Sequence, residues 1–459
     1  MKTVRIGSGA GYGGDRIEPA LDLIRRGNLD YLIFECLAER TVSIAQKRRR
    51  EDPAKGYNDL FDYRFTRILD TYADMHAAGD RVPRIITNMG AANPRAAAER
   101  CRAMAAERNL TGLIIACVTG DDKTDELDRY LGYTTIETGK PLSAIDGEVL
   151  SANGYIGCAG IVSALAQGAD IVITGRVADP SLTLGPLVHE FGWAMDDYAR
   201  LGRGTWVGHL LECAGQVTGG YFADPGYKDV PELWNLGFPL IEVDESGEGV
   251  VTKLPGTGGI VSVATVQEQT LYEIQDPANY FTPDVIADFS HVEIEQEGPD
   301  RVRIKGASGK APNGFYKTSV GYHDCYIGTG EISYGGTNAL PKAELAREVL
   351  EHRFELIGLA ADEIRFDYIG VNSLFGDELS SSICAEYGLT LPLEVRLRVA
   401  VRTKTPEAAR EVAREVEALY TNGPSGGGGA TGSVRDIISI ASILIPADDF
   451  TVNVDLLEA

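Results

Sequence analysis

Gly7-Ser8-Gly9-Ala10-Gly11-Tyr12-Gly13-Gly14-Asp15-Arg16 stands between a β-rich run at residues 3–6 and an amphipathic segment at 17–26. Strand, glycine-rich turn and helix in that order form the first unit of a parallel α/β sheet. Glycine frees the backbone for left-handed conformations and lets a ligand approach the N–H groups, and the following helix end favours an anion. The loop is therefore expected to wall a site, with Gly9, Gly11, Gly13, Gly14 and Arg16 as ligand contacts.

The same alternation continues outward from this stretch. Strands are expected at 31–36, 84–87, 112–118 and 170–174, with helices from about Thr41, over 61–76, after Pro94 and before the last of these strands. Leu113-Ile114-Ile115-Ala116-Cys117-Val118 and Asp170-Ile171-Val172-Ile173-Thr174 are unalternated, as parallel strands buried on both faces are. Residues 1–285 are thus read as an α/β domain, a parallel Rossmann-like sheet with helices on both faces. Ligands of such sheets bind outside the carboxyl ends of the strands. The expected exits there carry the opening loop, Glu35 and Glu39, Asn88 through Asn93, Asp121-Asp122, and Arg176 with Asp179.

Further on, residues 206–214 have helical spacing, which brings His209, Glu212 and Cys213 together. Gly219-Gly220 is expected to end that helix. Leu254-Pro255-Gly256-Thr257-Gly258-Gly259 is a second glycine-rich strand exit, and Gly219, Gly220, Gly256, Gly258 and Gly259 join the ligand-binding candidates. From 286 to 459 the order reads as a hairpin at 292–304 and then βαββαβ, a ferredoxin-like α+β domain. Within it, the tract at 423–429 is either a loop that closes over the first domain's site or a flexible turn.

Each candidate has a plainer reading beside the functional one. Gly9-x-Gly11-x-x-Gly14, with Glu35 downstream, fits the dinucleotide fingerprint formally. Pro19 belongs in a helix's first turn, however, so the helix starts near Ile17 and leaves Gly14 outside it, while Asp15 sets a negative charge where a pyrophosphate would lie. A carboxylate or a CoA-type phosphate suits the loop better than a nicotinamide cofactor. His209 can move protons near neutral pH and Cys213 can be a nucleophile if its thiol is made acidic; the alternative is that both pack in the core. Asp121 and Asp179 are acid/base candidates, with helix capping as the structural alternative for Asp179. Zinc is not expected, because the histidines supply no paired spacing and only two soft ligands stand close, while Asp121-Asp122 and Asp179 leave Mg²⁺ open as an alternative to acid/base work. G-x-S-x-G and P-loop motifs are absent.

A chain of 459 residues with 44% apolar content can bury a large core, and its net charge of −24 argues against nucleic acid and anionic membranes as partners. Seven scattered cysteines without C-x-x-C spacing, and no signal-peptide pattern, lead to the expectation of a cytoplasmic protein with reduced thiols.

Taken together, GSGAGYGGDR, Leu37-Ala38-Glu39-Arg40-Thr41, TGRVADPSL (174–182), HLLECAGQVTGGYFADPG (209–226), PGTGG (255–259) and NGPSGGGG (422–429) resemble the acyclic terpene utilisation (AtuA-like) family along nearly the whole chain. The resemblance implies catabolism of branched acyclic terpenoids, whose later steps use acyl-CoA thioesters. The expected activity is lyase or hydratase chemistry on a carboxylate or acyl-CoA. Glu39, Asp121, Arg176, Asp179, His209, Glu212 and Cys213 are the catalytic candidates, and Asn88 and Asn93 add to the ligand contacts. No cofactor is expected beyond CoA as a substrate moiety. A homo-oligomer is expected, and the resemblance leaves room for a small partner subunit. A non-catalytic scaffold subunit and a nicotinamide-dependent oxidoreductase are the alternatives.

Overall fold

The computed structural model describes residues 2–390 and 392–459. In it, β1 (Thr3–Ala10) carries the chain as strand through Gly7, Ser8 and Gly9, beyond the expected end at residue 6. These small residues are sheet rather than loop because both faces are covered. A Cβ on Gly7 would meet Leu29 Cδ1 at 2.6 Å, and one on Gly9 would meet the Phe34 ring at 2.6 Å. Next comes α1 (Glu18–Arg26), capped at Ile17 with Pro19 in its first turn, so the helix begins where the proline indicates.

There follow β2 (Tyr31–Phe34), α2 (Glu39–Glu51), α3 (Phe61–Ala78), β3 (Arg84–Thr87), α4 (Pro94–Ala106), β4 (Ile114–Thr119), β5 (Val149–Gly154), α5 (Ala159–Ala166), β6 (Ile171–Thr174), α6 (Ser181–Phe191) and α7 (Tyr198–Glu212). β1, β2, β3, β6 and β4 lie side by side in that order, all parallel. Because side chains alternate along a strand, each strand feeds two layers. Leu32, Phe34, Ile85, Ile115 and Ile171 pack with α1, α3 and α4, while Tyr31, Ile33, Ile86, Ala116 and Val172 pack with α5, α6 and α7. β6 returns to a place between β3 and β4, and a right-handed crossover in that reversed direction puts α5 on the opposite face. The reversal sets the exits of β3 and β6 next to each other.

After α7 come β7 (Pro239–Asp244), β8 (Gly249–Lys253), α8 (Val263–Leu271), β9 (Tyr280–Phe281), β10 (Ile286–Asp288), β11 (Glu293–Gly298), β12 (Arg301–Lys305), β13 (Ser308–Lys310) and β14 (Phe315–Gly335). The last elements are α9 (Ala339–Leu356), β15 (Glu363–Ile369), α10 (Gly376–Tyr387), β16 (Glu394–Thr403), α11 (Pro406–Asn422), β17 (Gly428–Pro446) and β18 (Asn453–Glu458). β7 pairs antiparallel with β1 and extends the sheet through β8, β12 and β11, while β18 closes the other side against β4. The result is a mixed sheet with a parallel centre, and the hairpin at 293–305 belongs to it rather than to a second domain.

The chain divides into two compact units. The larger comprises the chain up to Ile145 with Val149–Gly321 and Ile440–Ala459, and the smaller Asp146–Glu148 with Tyr322–Ser439. The boundary expected at 285/286 is thus displaced, and the chain end returns to the first unit. In the smaller unit the strands run β15-β16-β14-β17, and α9 and α11 pack on them. The sequence reading has no helix at 376–387, where α10 buries only Ser380. Among the described residues, no helix is long and apolar enough to cross a membrane.

Candidate active site

At the exits of the parallel strands, in the larger unit, the Glu35 carboxylate accepts from the Leu37 N–H at 2.9 Å and from Asn88 Nδ2 at 2.9 Å. Asn88 in turn accepts from the Cys36 N–H at 2.8 Å, which ties the exits of β2 and β3 together. Glu35 lines a cavity of about 450 Å³ together with Gly11, Gly13, Gly14, Cys36 and Tyr57. Burial pushes its carboxyl up to about 7; the Arg176 charge, the Leu37 N–H and Asn88 pull it down, and the Glu212 carboxylate pushes it up. A carboxyl that titrates near neutrality in a cavity can both give and take a proton.

Arg176 follows β6 and is 1% exposed. Its guanidinium donates to the carbonyls of Val177 (3.0 Å) and Leu37 and pairs with Asp179, and it lies 4.2 Å from the centre of the Tyr155 ring. With every nitrogen engaged in at least one bond, it holds the 35–39 segment and lends the site its charge. Asp179 is spent on that pair and does not cap α6 through its side chain. Asp121, after β4, accepts from the Arg176 N–H at 2.9 Å and Asn153 Nδ2 at 2.8 Å, and burial pushes it up to about 6. Glu39 begins α2. Burial would raise it, but the Tyr155 hydroxyl, its own N–H, and the Lys317 and Arg176 charges outweigh that and hold it at about 2. It is a fixed negative charge, not a proton shuttle.

The end of α7 approaches from the other side. His209, 1% exposed, shares a hydrogen bond of 2.6 Å between Nδ1 and Glu212 Oε1, and its ring packs 5.4 Å from that of Tyr280 and 6.0 Å from that of Phe289. His209 Nε2 and Glu212 Oε2 have no hydrogen-bond partner among the described residues. Such a pair can pass a proton, and its orphan atoms call for one more polar group. Gly11 permits the approach: a Cβ there would lie 2.3 Å from the Cys213 carbonyl carbon and 2.4 Å from Glu212 O. Burial, with the Glu212 and Glu35 carboxylates, pushes the Cys213 thiol up. That direction disfavours the nucleophilic thiolate expected at Cys213.

Other expected contacts are placed elsewhere. Arg16 lies on the surface and donates to Trp234 O at 3.0 Å, bordering a separate pocket of about 350 Å³. Asn93 caps α4 and donates to Pro53 O and Lys55 O, so its side chain is consumed structurally. Gly258 and Gly259 donate to Asn235 O and Pro231 O, and a Cβ on either would strike backbone within 2.5 Å. Gly219 packs on Val230 and Gly220 on the Gly215 carbonyl, while the position a Cβ would take at Gly256 is open. Gly219, Gly220, Gly258 and Gly259 knit the 215–260 segment to itself rather than converge with the opening loop. Glu35, which the sequence places at a strand exit and as the acid of a formal dinucleotide fingerprint, is the residue the structure adds as an acid/base group, along with Tyr155 and Tyr280. Burial, which decides its role, has no local signature.

The fold and site define a mixed α/β protein with a buried acid/base cluster at the carboxyl edge of its parallel strands. The chain belongs to the acyclic terpene utilisation family AtuA, whose description, Acyclic terpene utilisation family protein AtuA, matches residues 4–456. That membership gives it a role in acyclic terpene utilisation. No curated protein and no solved structure matches the chain.

Proposed function

We propose that the protein acts on a branched carboxylic acid or its CoA thioester in acyclic terpene breakdown, by lyase- or hydratase-type acid–base chemistry. The observation that carries this is Glu35, a carboxyl raised to about 7 in a cavity of about 450 Å³. Both reactions move a proton beside a carbonyl-activated carbon. Glu35 takes or returns that proton, and the His209–Glu212 pair serves the opposite one, across the Gly11 contact. Asp121, Arg176, Asp179 and Glu39 position this set and fix its field. Within the same reading, the parallel strands with helices on both faces support a Rossmann-like core. The order β15-β16-β14-β17 supports a ferredoxin-like smaller unit with α10 as an insertion.

The test is turnover of branched acyl-CoA thioesters and their free acids, followed by mass, for the wild type and Glu35→Gln. Loss of about 10²–10⁴ in kcat with Gln supports the reading. Unchanged turnover in Glu35→Gln, or no turnover of either class by the wild type, overturns it.

A further inference from the structure

The cavity that holds Glu35 runs along one face of α2. Thr41, Ile44, Ala45 and Arg48 line it, at the i, i+3, i+4 and i+7 spacing of a single helix face. Glu35 belongs to the N-terminal end of this face, because its carboxylate accepts from the Leu37 N–H just ahead of the helix. Arg48 belongs to the other end, two turns or about 10 Å beyond Thr41.

Between these ends the wall is apolar. Leu37, Val42, Ala45, Ala91 and Ala92 form a cluster of their own, apart from the two layers that pack on the sheet, and Leu37, Ala45 and Ala91 line the cavity. Alanines dominate this cluster, and they leave open the space that larger side chains would fill. Ala91 holds φ at 47°, a conformation that costs any residue but glycine and recurs at ligand sites. At the far end Arg48 pairs with Asp59, and beyond the pair lies a second cavity of about 360 Å³, lined by Arg48, Tyr57 and Asp59 again and by Glu51, Asp52 and Lys55. The pair is thus a wall common to an apolar space and a charged one. A hydrocarbon chain gains by leaving water for the first and gains nothing among the charges of the second.

We infer that the α2 face is the hydrocarbon-chain subsite of this cavity and that the Arg48–Asp59 pair ends it, so that the protein selects its ligands by chain length. The inference rests on the reading of that cavity as the site. It puts the reacting end of the substrate at Glu35 and its apolar chain along Ile44 and Ala45.

Straight-chain alcohols from butanol to dodecanol, titrated calorimetrically into the full chain, test it; being neutral, they are not repelled by Glu35. Affinity is expected to rise about fourfold per methylene as far as octanol, whose extended chain matches the slot of about 10 Å, and to level off there. The double variant Arg48→Leu, Asp59→Leu removes a half-exposed ion pair that adds little to stability, so it is expected to fold and to carry the rise on to decanol. Ile44→Asn, at a half-buried position of the helix, is expected to weaken octanol at least about tenfold and butanol by less than about twofold. Glu35→Gln is expected to keep the wild-type series whatever becomes of turnover, which separates this inference from the acid–base reading. No binding by the wild type, a rise that continues unbroken to dodecanol, a levelling-off that the double variant does not move, or a series that Ile44→Asn leaves unchanged overturns it.

Discussion

Asn88 holds Glu35 by a 2.9 Å hydrogen bond from its Nδ2, and its Oδ1 accepts from the N–H of Cys36, the residue after Glu35, at 2.8 Å. One amide thereby sets the direction of the carboxylate and favours its ionised form. In Asn88→Ala the Glu35 carboxyl should rise above about 7, and the corresponding limb of the pH–rate profile should move to higher pH. The Cys36 N–H also loses its partner, at about 1–3 kcal/mol of stability. A pH–rate profile and a urea melt read the two effects; an unmoved limb would remove Asn88 from the site.

Glu35 also makes stability depend on pH. Its carboxyl is near 4.5 when unfolded and about 7 when folded, so the folded state binds the proton more tightly. That contribution is complete below about 4.5 and is lost as pH rises through about 7. Gln mimics the protonated form. Glu35→Gln should therefore match the wild type at low pH and exceed it above neutrality by about 3 kcal/mol. Melts across this range check the prediction, and a gain that does not vary with pH would contradict it.

The parallel centre of the sheet was legible because its strands carry unalternated apolar runs with polar exits, and Glu35, Asn88, Asp121 and Arg176 do meet there. The edges were not. β7 with β8, and β11 with β12, read as local hairpins, and nothing local to Val302 says that it faces Val251 on the first sheet. Gly9 looked like loop because glycine is read by its freedom, whereas here it makes room for the Phe34 ring.

Cys213→Ala separates the His209–Glu212 pair from the thiol beside it. Burial and the adjacent carboxylates push that thiol up, which disfavours the thiolate. The variant should keep activity within about twofold, and iodoacetamide should not inactivate the wild type through this residue. A loss of several orders of magnitude in kcat would restore Cys213 as a nucleophile.

Gly11 and Gly13 look equivalent in the sequence, yet the structure gives them opposite tolerances. An alanine Cβ at Gly11 would fall 2.3 Å from the Cys213 carbonyl carbon and 2.4 Å from Glu212 O, backbone atoms at the end of α7 that cannot turn aside. The helix end must shift, taking Glu212 and its bond to His209 with it. Gly11→Ala should lose about 1–3 kcal/mol and fall in kcat at a pH where Glu35 is still functional. At Gly13 the nearest neighbours stand at 3.5 and 3.6 Å, so alanine there should leave the melting midpoint unchanged. Equal melting midpoints for the two variants would mean that the α7 end is not held against β1 by this contact, and the opposed placement of the His209–Glu212 pair would lose its structural basis.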